Sequence, residues 1–294
     1  MRSSTEPAPE PLIVKTPEEM RALAREWHVA GETIGLVPTM GALHAGHMSL
    51  VAVARAETSR VVVSIFVNPL QFGAGEDFER YPRPVESDLA MLREARVDAV
   101  YMPDQATLYP PDLSTRVQVG GPTETLEGVQ RPGHFEGVAT VVTKLFWATH
   151  ADRAYFGQKD AQQVAVVKRL AADLDSGVEV RGCPTIRDAD GLAVSSRNAY
   201  LSAAERAAAL SLSGSLRTAA KMYAAGERDA GRLRARIQEV LAAEPLVRID
   251  YADLVDPSTF RPPGTLAVLA VRIGKTRLID NHDVSKPFLA DRNS

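Results

Sequence analysis

The strongest fold signal in this chain is the segment Ile34-Gly35-Leu36-Val37-Pro38-Thr39-Met40-Gly41-Ala42-Leu43-His44-Ala45-Gly46-His47. Its apolar start, residues 34–37, predicts a buried strand that Pro38 closes. Residues 48–56 have a composition that favours a helix. We therefore expect His44 and His47 at the mouth of a strand-to-helix turn. A spacing of three places both rings on the same face of the first helical turn.

This turn has the chemistry of an anion site. Gly41 and Gly46 remove side-chain bulk where a ligand can approach the backbone. The start of a helix presents N–H groups and the positive end of the helix dipole. Imidazole donors in that place suit the phosphates of a nucleotide, which is the ligand we predict.

Two other interpretations of the histidine pair remain open. A His-x-x-His pair can bind a metal ion, although no Glu directly follows the first His and no third ligand lies nearby in the sequence. The two rings can also be purely structural. The glycine spacing matches neither the dinucleotide fingerprint nor a P-loop. Gly274-Lys275-Thr276 resembles a P-loop end, but the position of the first glycine holds Leu269.

Composition limits the class of protein. A hydrophobic fraction of 45% and a charged fraction of 24% are those of an ordinary globular protein, and 294 residues suffice for one or two domains. The net charge of −3 argues against nucleic acid as a main partner. The one cysteine, Cys183, excludes an internal disulfide, fits a reducing compartment and is best explained as a small buried apolar residue.

The chain carries no sequence signal for a membrane. No apolar run approaches the ~18 residues of a membrane span. Residues 1–11 contain three prolines among polar residues and no apolar centre, which predicts a disordered tail rather than a signal peptide. We expect a cytoplasmic protein.

Strands and helices alternate through the first 180 residues. Strands are predicted at 34–37, 61–67, 98–102, 153–156 and 178–182, and helices at 46–58, 85–95, 135–149 and 160–174, with an irregular stretch at 103–132. This rhythm predicts a Rossmann-like α/β fold, a parallel sheet wrapped by helices, with its ligand crevice at the carboxyl ends of the strands.

The pattern changes near residue 185. Alanine-rich helices are predicted at 203–225 and 229–243, followed by strands at 249–255, 266–272 and 277–283 that suggest a small antiparallel sheet. We therefore expect a nucleotide-binding domain over 12–185 and a smaller C-terminal α+β domain over 186–294.

Three more polar groups follow predicted strands or the domain boundary. In Gly157-Gln158-Lys159-Asp160, the lysine can reach a phosphate and Asp160 can hold a ribose hydroxyl. Asp160 as a helix cap beside a solvated lysine is the alternative. Gln163 lies one turn further on, towards the same crevice. The amides of residues 68–72, which include Gln71, suit hydroxyl groups of a small substrate.

The loop at residues 190–198 offers two hydroxyls and a guanidinium, from Ser195, Ser196 and Arg197. These donors suit a triphosphate, and a loop can close over it. The alternative is an ordinary approach to a helix that Ser202 caps.

Taken together, four segments closely resemble the pantoate–β-alanine ligase (pantothenate synthetase) family of the nucleotidyltransferase superfamily. They are Val37 to His47, Phe66 to Phe72, Phe156 to Asp160, and Ser195 to Asn198. The superfamily marks its ATP site with a HIGH-type motif and a KMSKS-like loop. The resemblance runs in order from about Leu36 to the end of the chain.

The resemblance implies that pantoate and β-alanine are condensed through a pantoyl adenylate, with ATP cleaved to AMP and pyrophosphate. It also implies Mg²⁺ with the ATP, a homodimer, pantoate binding within the first domain, and no nucleic-acid or membrane partner. It assigns ATP contacts to Met40, Gly41, Ala42, Leu43, His44, Ala45, Gly46, His47, Gly157, Gln158, Lys159, Asp160, Ile186, Val194, Ser195, Ser196 and Arg197. Gln71 and Gln163 match the pantoate-binding positions, Gln71 also lies by β-alanine, and His47 matches the assigned proton donor. No metal ligand is implied for any one residue.

The chain departs from the family pattern at three positions. Ala45 stands where the family usually has Glu, Gln158 where Glu is common, and Val194 where Met is common. None of the three replaces a donor in the scheme that we derive from charge. In that scheme His44 and His47 donate to the phosphates, Lys159 neutralises the transferring group, and Ser195, Ser196 and Arg197 hold the leaving pyrophosphate.

Two other functions use the same fold. An adenylyltransferase would leave AMP on its product, and a nucleotide sensor would bind without reaction. The neutral amides of Gln71 and Gln163 favour an uncharged polyol carboxylate over a phosphorylated acceptor, and the intact histidines, Lys159 and Arg197 argue against a sensor. Residues 73–84, beside Gln71 and rich in Gly and charge, are our candidate for a closing lid.

Overall fold

The computed structural model describes residues 9–73 and 75–288. Backbone contacts divide the chain into two compact units. The first takes the described residues up to Val119 with Arg131–Gly157 and Val166–Cys183, and the second takes Gly120–Gln130, Gln158–Ala165 and the described residues from Pro184 onward. The second unit thus includes two short pieces of the range 12–185. Separate domains over 12–185 and 186–294 stay a prediction.

The first unit is built on a parallel sheet of six strands. The strands are β1 (Leu12–Val14), β2 (Ile34–Thr39), β3 (Arg60–Ile65), β4 (Ala99–Tyr101), β5 (Arg153–Gly157) and β6 (Glu179–Cys183). They lie in the order β1-β4-β3-β2-β5-β6, and every neighbouring pair is parallel. β3 is buried along almost all of its length, as its valine-rich sequence requires in a sheet covered on both faces. The predicted fold class is confirmed.

Helices connect these strands. They are α1 (Pro17–Val29), α2 (Ala45–Glu57), α3 (Val85–Glu94), the short α4 (Gln105–Leu108) and α5 (Glu127–Gln130), α6 (His134–Thr149) and α7 (Ala161–Asp173). Leu50 and Val51 of α2 and Leu92 of α3 share an apolar cluster with the sheet residues Val61 and Val63. Periodicity thus located α2, α3, α6 and α7 within a few residues, while β1 and α1 were not predicted.

The strand order fixes where a ligand can bind. From β2 the chain proceeds to β3 and β4 on one side, and then returns to β5 and β6 on the other. The direction of progress therefore reverses between β2 and β5. In open α/β sheets, ligands bind outside the carboxyl ends of the strands at such a reversal.

The prediction that Pro38 ends the first strand was wrong. β2 continues to Thr39, with Pro38 opposite Ser64 of β3. Pairing between β2 and β5 involves only Gly35 and Leu36. Among the described residues no strand pairs with that side of β2 at Pro38, so the missing N–H of proline costs no ladder hydrogen bond there.

The second unit contains an antiparallel sheet of three strands, β7 (Val247–Val255), β8 (Leu266–Ile273) and β9 (Thr276–Asp283), in that order. Two long helices, α8 (Ala203–Ala224) and α9 (Ala230–Ala242), cover one face. Leu269 and Val271 of β8 join their core, whereas Leu266 and Val268 pack with Ala161 at the start of α7. Alternate residues of β8 therefore pack on opposite faces of the sheet. The helices α8 and α9 on one of these faces give the predicted α+β arrangement.

Two smaller expectations can be compared with the structure. Residues 1–8 of the predicted tail lie outside the described residues, while Glu10 pairs with Arg93 at 2.6 Å. Cys183 is buried in the first unit, as expected, and burial raises the pKa of its thiol.

Over residues 9–73 and 75–288, no helix has the length and apolar character needed to cross a membrane.

Candidate active site

The loop after β2 is held by side-chain acceptors. Gly41 adopts φ +81° and Ala42 φ +52°, so the backbone turns through the left-handed region. The buried carboxylate of Asp88, on α3, accepts the N–H of Ala42 at 2.9 Å and that of Leu43 at 2.8 Å. The hydroxyl of Thr39 accepts the N–H of Gly41 at 3.1 Å. These hydrogen bonds set the path by which the chain enters α2.

Sequence reasoning did not identify Asp88. The available signal was an acidic residue in the first turn of a predicted helix, and the helix dipole alone explains such a residue. A Cβ at Gly41 would lie 3.0 Å from the Asp88 carboxylate and 3.1 Å from Ile65. The glycine is therefore required by this close approach as well as by its backbone angle.

His44 is the N-cap of α2. Its Nδ1 accepts the backbone N–H of Gly46 at 3.2 Å, so in this arrangement Nδ1 carries no proton and the ring proton sits on Nε2. A Cβ at Gly46 would lie 2.9 Å from the His44 ring, which explains the second glycine. His44 and His47 stack with ring centroids 4.0 Å apart.

The stacked pair confirms that both rings share one face at the start of α2. The first turn of the helix holds no acidic residue, so no side chain of that turn neutralises the positive end of the dipole. Among residues 9–73 and 75–288, no group of three or more His, Cys, Asp or Glu side chains is arranged to hold a metal ion. The start of α2 therefore has the features of an anion site.

Gln71 lies after β3 and adjoins the histidine loop. It ends a short 3-10 helix, Pro69–Gln71, that Asn68 caps. The buried Asn68 donates to the Gln71 Oε1 at 3.0 Å and to the Gly137 carbonyl at 3.0 Å. The Gln71 amide then lies 3.2 Å from the sulfur of Met40. The structure thus brings two of the predicted substrate-contacting residues together.

A charged network lies behind Gln71. The Gln71 carbonyl is 2.9 Å from His134 Nδ1, which therefore donates, and His134 Nε2 lies 3.1 Å from the Arg131 guanidinium. Arg131 also pairs with Glu76 at 2.7 Å. Burial raises the pKa of Glu76, but the hydrogen bond and charge of Arg131 lower it further, so that it lies below its usual value. The Glu76 contact ties the candidate lid segment to Arg131.

In the second unit, Gln158–Asp160 forms a 3-10 turn that follows β5 directly. The buried Asn281 of β9 donates to the carbonyl of Gln158 at 2.9 Å and of Lys159 at 2.8 Å. The Lys159 ammonium lies 3.7 Å from the Asp160 carboxylate and is only 20% exposed. Gln163 is half-buried one turn further along α7.

The remaining predicted residues of this unit lie on a hairpin. Val194 donates its N–H to the carbonyl of Ile186 at 3.0 Å, and Gly191 turns the chain with φ +95°. The Ser195 hydroxyl accepts the Arg197 N–H at 3.3 Å and caps the 3-10 helix Ser196–Tyr200. Ser202 caps α8 as the alternative interpretation expected. The cap uses none of the three predicted donors, whose role stays a prediction.

The two units each gather one group of candidates. In the first, the residues from Met40 to His47 and Gln71 adjoin, and Gly157 ends β5 next to β2 in the sheet. In the second, the turn at Lys159 and the hairpin at Ile186–Val194 share β9 as their support. The roles of these residues stay predictions.

The fold and the histidine-bearing helix N-terminus at the sheet reversal are typical of nucleotide-binding enzymes of the α/β class. The chain belongs to the pantoate–β-alanine ligase family, whose model matches residues 12–283. It is therefore related to ligases that use ATP.

Individual relatives agree over nearly the whole chain. The chain is 53% identical to a pantothenate synthetase of Herpetosiphon aurantiacus over 275 residues, which cover 92% of this chain and 98% of the relative. A crystal structure of pantothenate synthetase from Thermus thermophilus has a TM-score of 0.88 at 46% identity, covering 94% of this chain and all of that one. A pantoate–β-alanine ligase of Francisella tularensis, solved with β,γ-ATP and β-alanine, has a TM-score of 0.78 at 32% identity, covering 94% and 98%.

Proposed function

We propose that this protein condenses (R)-pantoate with β-alanine to (R)-pantothenate, with ATP cleaved to AMP and pyrophosphate. The observation that carries the proposal is the family match over residues 12–283 in a chain whose strand order reverses beside a histidine-capped helix. ATP is needed because a carboxylate does not acylate an amine unaided and must first be activated.

In the first half-reaction a carboxylate oxygen of pantoate attacks the α-phosphorus of ATP. The bond from that phosphorus to the bridging β-phosphoryl oxygen breaks, and pyrophosphate leaves with the electron pair. Two anions meet, so the protein contributes positioning and fixed positive charge.

The candidate donors supply that charge. We assign contacts with the phosphates to Nε2–H of His44, to His47 and to the start of α2, which carries no acidic residue in its first turn. Lys159 neutralises the transferring phosphoryl group as a point charge. Ser195, Ser196 and Arg197 hold the leaving pyrophosphate by charge-assisted hydrogen bonds.

Pantoate offers hydroxyl groups besides its carboxylate, and β-alanine reacts through its amine; side-chain amides can both donate to and accept from such groups. Gln71 and Gln163 provide amides for pantoate, and Gln71 also adjoins β-alanine. In the second half-reaction the neutral amine attacks the acyl carbon, the bond between that carbon and the AMP oxygen breaks, and AMP leaves with the electron pair. The proton that the amine loses passes to water. His47, the proposed proton donor, donates its N–H to the phosphate oxygens of the leaving AMP.

Mg²⁺ enters with ATP. Among the described residues no cluster of three carboxylate, imidazole or thiolate groups is arranged for a metal. The oxygens of the triphosphate would be ligands for Mg²⁺ that binds together with ATP. Bound Mg²⁺ offsets phosphate charge, and no step assigned to the residues above depends on a protein ligand to it.

The test uses purified protein with ATP, Mg²⁺ and pantoate, with and without β-alanine. Pyrophosphate release that needs pantoate, followed by AMP and pantothenate when β-alanine is added, is the expected result. Stable adenylylated product with no AMP release would instead identify an adenylyltransferase. ATP binding without turnover would identify a sensor.

We further propose a homodimer in the cytoplasm. Light scattering of the purified protein should give twice the chain mass of 31.8 kDa. Fractionation of the source cells should recover the protein with cytoplasmic markers. A monomer mass, or recovery in another fraction, contradicts the corresponding proposal.

A further inference from the structure

Two consecutive residues of β9 hold two separate candidate ATP-binding segments of the second unit. Asp280 and Asn281 are both buried, at 2% and 6% exposure. Side chains of consecutive residues in a strand leave on opposite faces. One strand therefore reaches two segments that are remote from each other in sequence.

Asn281 holds the turn that carries Lys159. Its amide nitrogen donates to two successive carbonyls, of Gln158 at 2.9 Å and of Lys159 at 2.8 Å. A single NH₂ group that bridges two successive peptide oxygens fixes the orientation of the two peptides that flank the Cα of Lys159. The Lys159 side chain begins at that Cα, so its direction depends on this contact.

Asp280 holds the hairpin that leads to Ser195. Its carboxylate makes a two-point ion pair with Arg187, at 2.7 and 2.9 Å. Arg187 also donates to the carbonyl of Gly191 at 3.2 Å, so one guanidinium joins the strand to the tip of the hairpin. A planar guanidinium in a two-point pair has one geometry, which a single contact would not give it.

The strand itself has a fixed register. Asp280 pairs with Leu269 and Asn281 with Val268 of β8. A shift of one residue would exchange the faces of all β9 side chains, and the packing of α8 and α9 on one face opposes such a shift. The relative position of the two segments is thereby set by the sheet.

We propose that Asp280 and Asn281 are positioning residues that together hold the Lys159 turn and the Ile186–Arg197 segment at the separation that the triphosphate of ATP requires. This inference rests on the proposed function for its substrate. Neither residue is assigned a contact with ATP; each acts through the backbone or the arginine that it binds.

Isosteric exchanges separate the two anchors. Asn281→Asp replaces two donors by oxygens that face carbonyl oxygens, and Asp280→Asn removes the charge and one acceptor from the Arg187 pair. The double variant that exchanges the two residues keeps the composition and the net charge. Asp250→Asn is the matched control, because Asp250 is a carboxylate of the same unit, 14% exposed, paired with Arg277 and Arg272.

The first measurement is local hydrogen exchange of the folded, full-length protein. Asn281→Asp should speed exchange around residues 158–162, and Asp280→Asn around residues 186–195. Asp250→Asn should leave both segments protected as in the wild type. Unchanged protection of the two segments in their own variants overturns the inference, whatever the activity.

The second measurement is single-turnover pyrophosphate release with pantoate, which separates positioning from mere loss of folded protein. A structural defect lowers the burst amplitude. Misplacement by about 1 Å lowers the rate constant, by on the order of 10- to 100-fold, with full amplitude and an unchanged pantoate KM. The exchanged double variant should lose less than the product of the two single losses, because both anchors serve one ligand.

ATP binding measured by calorimetry, without any acceptor, keeps this inference separate from the choice of substrate. Both single variants should bind MgATP more weakly than Asp250→Asn does. If the wild type binds ATP but releases no pyrophosphate with pantoate, the proposed function fails and the positioning role stands on exchange and affinity. Equal affinity for MgATP in the wild type, the two single variants and Asp250→Asn contradicts the positioning role.

Discussion

His44 Nδ1 accepts the backbone N–H of Gly46 at 3.2 Å, so the ring that we assign to the phosphates of ATP is also the N-cap of α2. This bond needs an unprotonated Nδ1 and leaves the proton on Nε2. One side chain thus has a structural acceptor on one nitrogen and a functional donor on the other, and the two roles can be separated by substitution.

His44→Asn and His44→Ala should differ in stability but not in activity. Asparagine is a good N-cap, so His44→Asn should keep the free energy of unfolding near that of the wild type, whereas His44→Ala should lose about 1 kcal/mol. Both lack the Nε2–H donor and should lose about 10²- to 10³-fold in the rate of adenylate formation. Urea unfolding and pantoate-dependent pyrophosphate release measure the two effects. Near-normal turnover in His44→Asn would show that the ring contributes only its cap.

Two glycines with similar backbone angles provide a second test. Gly31 has φ +77° and open space where a Cβ would lie, whereas Gly41 has φ +81° with Asp88 and Ile65 at 3.0 and 3.1 Å from that position. Alanine at either residue is strained by about 1–2 kcal/mol, because an L-residue is disfavoured at this φ. Only Gly41→Ala should also displace the histidine loop. We expect Gly31→Ala to keep kcat and Gly41→Ala to lose most of it; equal kcat in both contradicts the requirement for close approach.

The carboxylate of Asp88 gives a third prediction. In the wild type the Asp88 carboxylate accepts the backbone N–H groups of Ala42 and Leu43. In Asp88→Asn one carboxylate oxygen becomes an NH₂ group, so one of these two N–H groups faces a donor instead of an acceptor. The unmatched pair should cost about 1–3 kcal/mol of unfolding free energy. Adenylate formation should slow while the pantoate KM changes little. Glu86→Gln, an exposed acid-to-amide change in the same helix, is the control and should affect neither quantity.

Local patterns predicted much of the fold because most elements carry their own signal. The valine-rich β3 and the alanine-rich α8 were located from composition and periodicity. α1 also has such a signal, since Thr16 and Glu19 form a capping box around Pro17, yet it was not used. The prediction that Pro38 ends the strand was wrong because a proline breaks a ladder hydrogen bond only where a neighbouring strand pairs with that side of it. The local sequence does not show where the neighbouring strand lies.

The supports of the candidate site have no comparable signal. Asp88 binds a residue 46 positions earlier, and Asn281 binds one 122 positions earlier. Each is an ordinary helix or strand residue by local criteria, and only the topology brings it to its partner. Motifs therefore predicted the candidate donors, and the residues that hold those donors required the structure.

The pair between Glu76 and Arg131 predicts a pH effect on stability. The pKa of Glu76 is lowered in the folded protein, so its stabilising contribution is complete above the ordinary value of 4.5 and is lost as the pH falls through the lowered pKa. Relative to Glu76→Gln, the wild type should be more stable by about 1 kcal/mol at neutral pH, with the difference vanishing in acid. Urea unfolding across pH measures it. In proteins that also carry Arg131→Gln, the change Glu76→Gln should alter the free energy of unfolding much less. If it alters that free energy as much as in the wild type, the pH effect does not come from the pair between Glu76 and Arg131.

Two tyrosines, the half-buried Tyr109 and the buried Tyr101, test whether the support of Gln71 extends one step further. Tyr109 donates its hydroxyl to Asn68 Oδ1 at 2.8 Å, and Asn68 in turn holds Gln71. Tyr109→Phe keeps the ring against Phe66 but removes that bond, so it should cost about 1 kcal/mol and raise the pantoate KM with little change in kcat.

Tyr101 is the matched control, because its hydroxyl is buried and has no hydrogen-bond partner among residues 9–73 and 75–288. Removing an unsatisfied buried hydroxyl removes a desolvation cost, so Tyr101→Phe should be neutral or stabilising and should leave the pantoate KM unchanged. Burial raises the pKa of both phenols, so both stay protonated at neutral pH and the comparison involves no change of charge. Equal pantoate KM values in the two variants would show that Asn68 holds Gln71 without help from Tyr109.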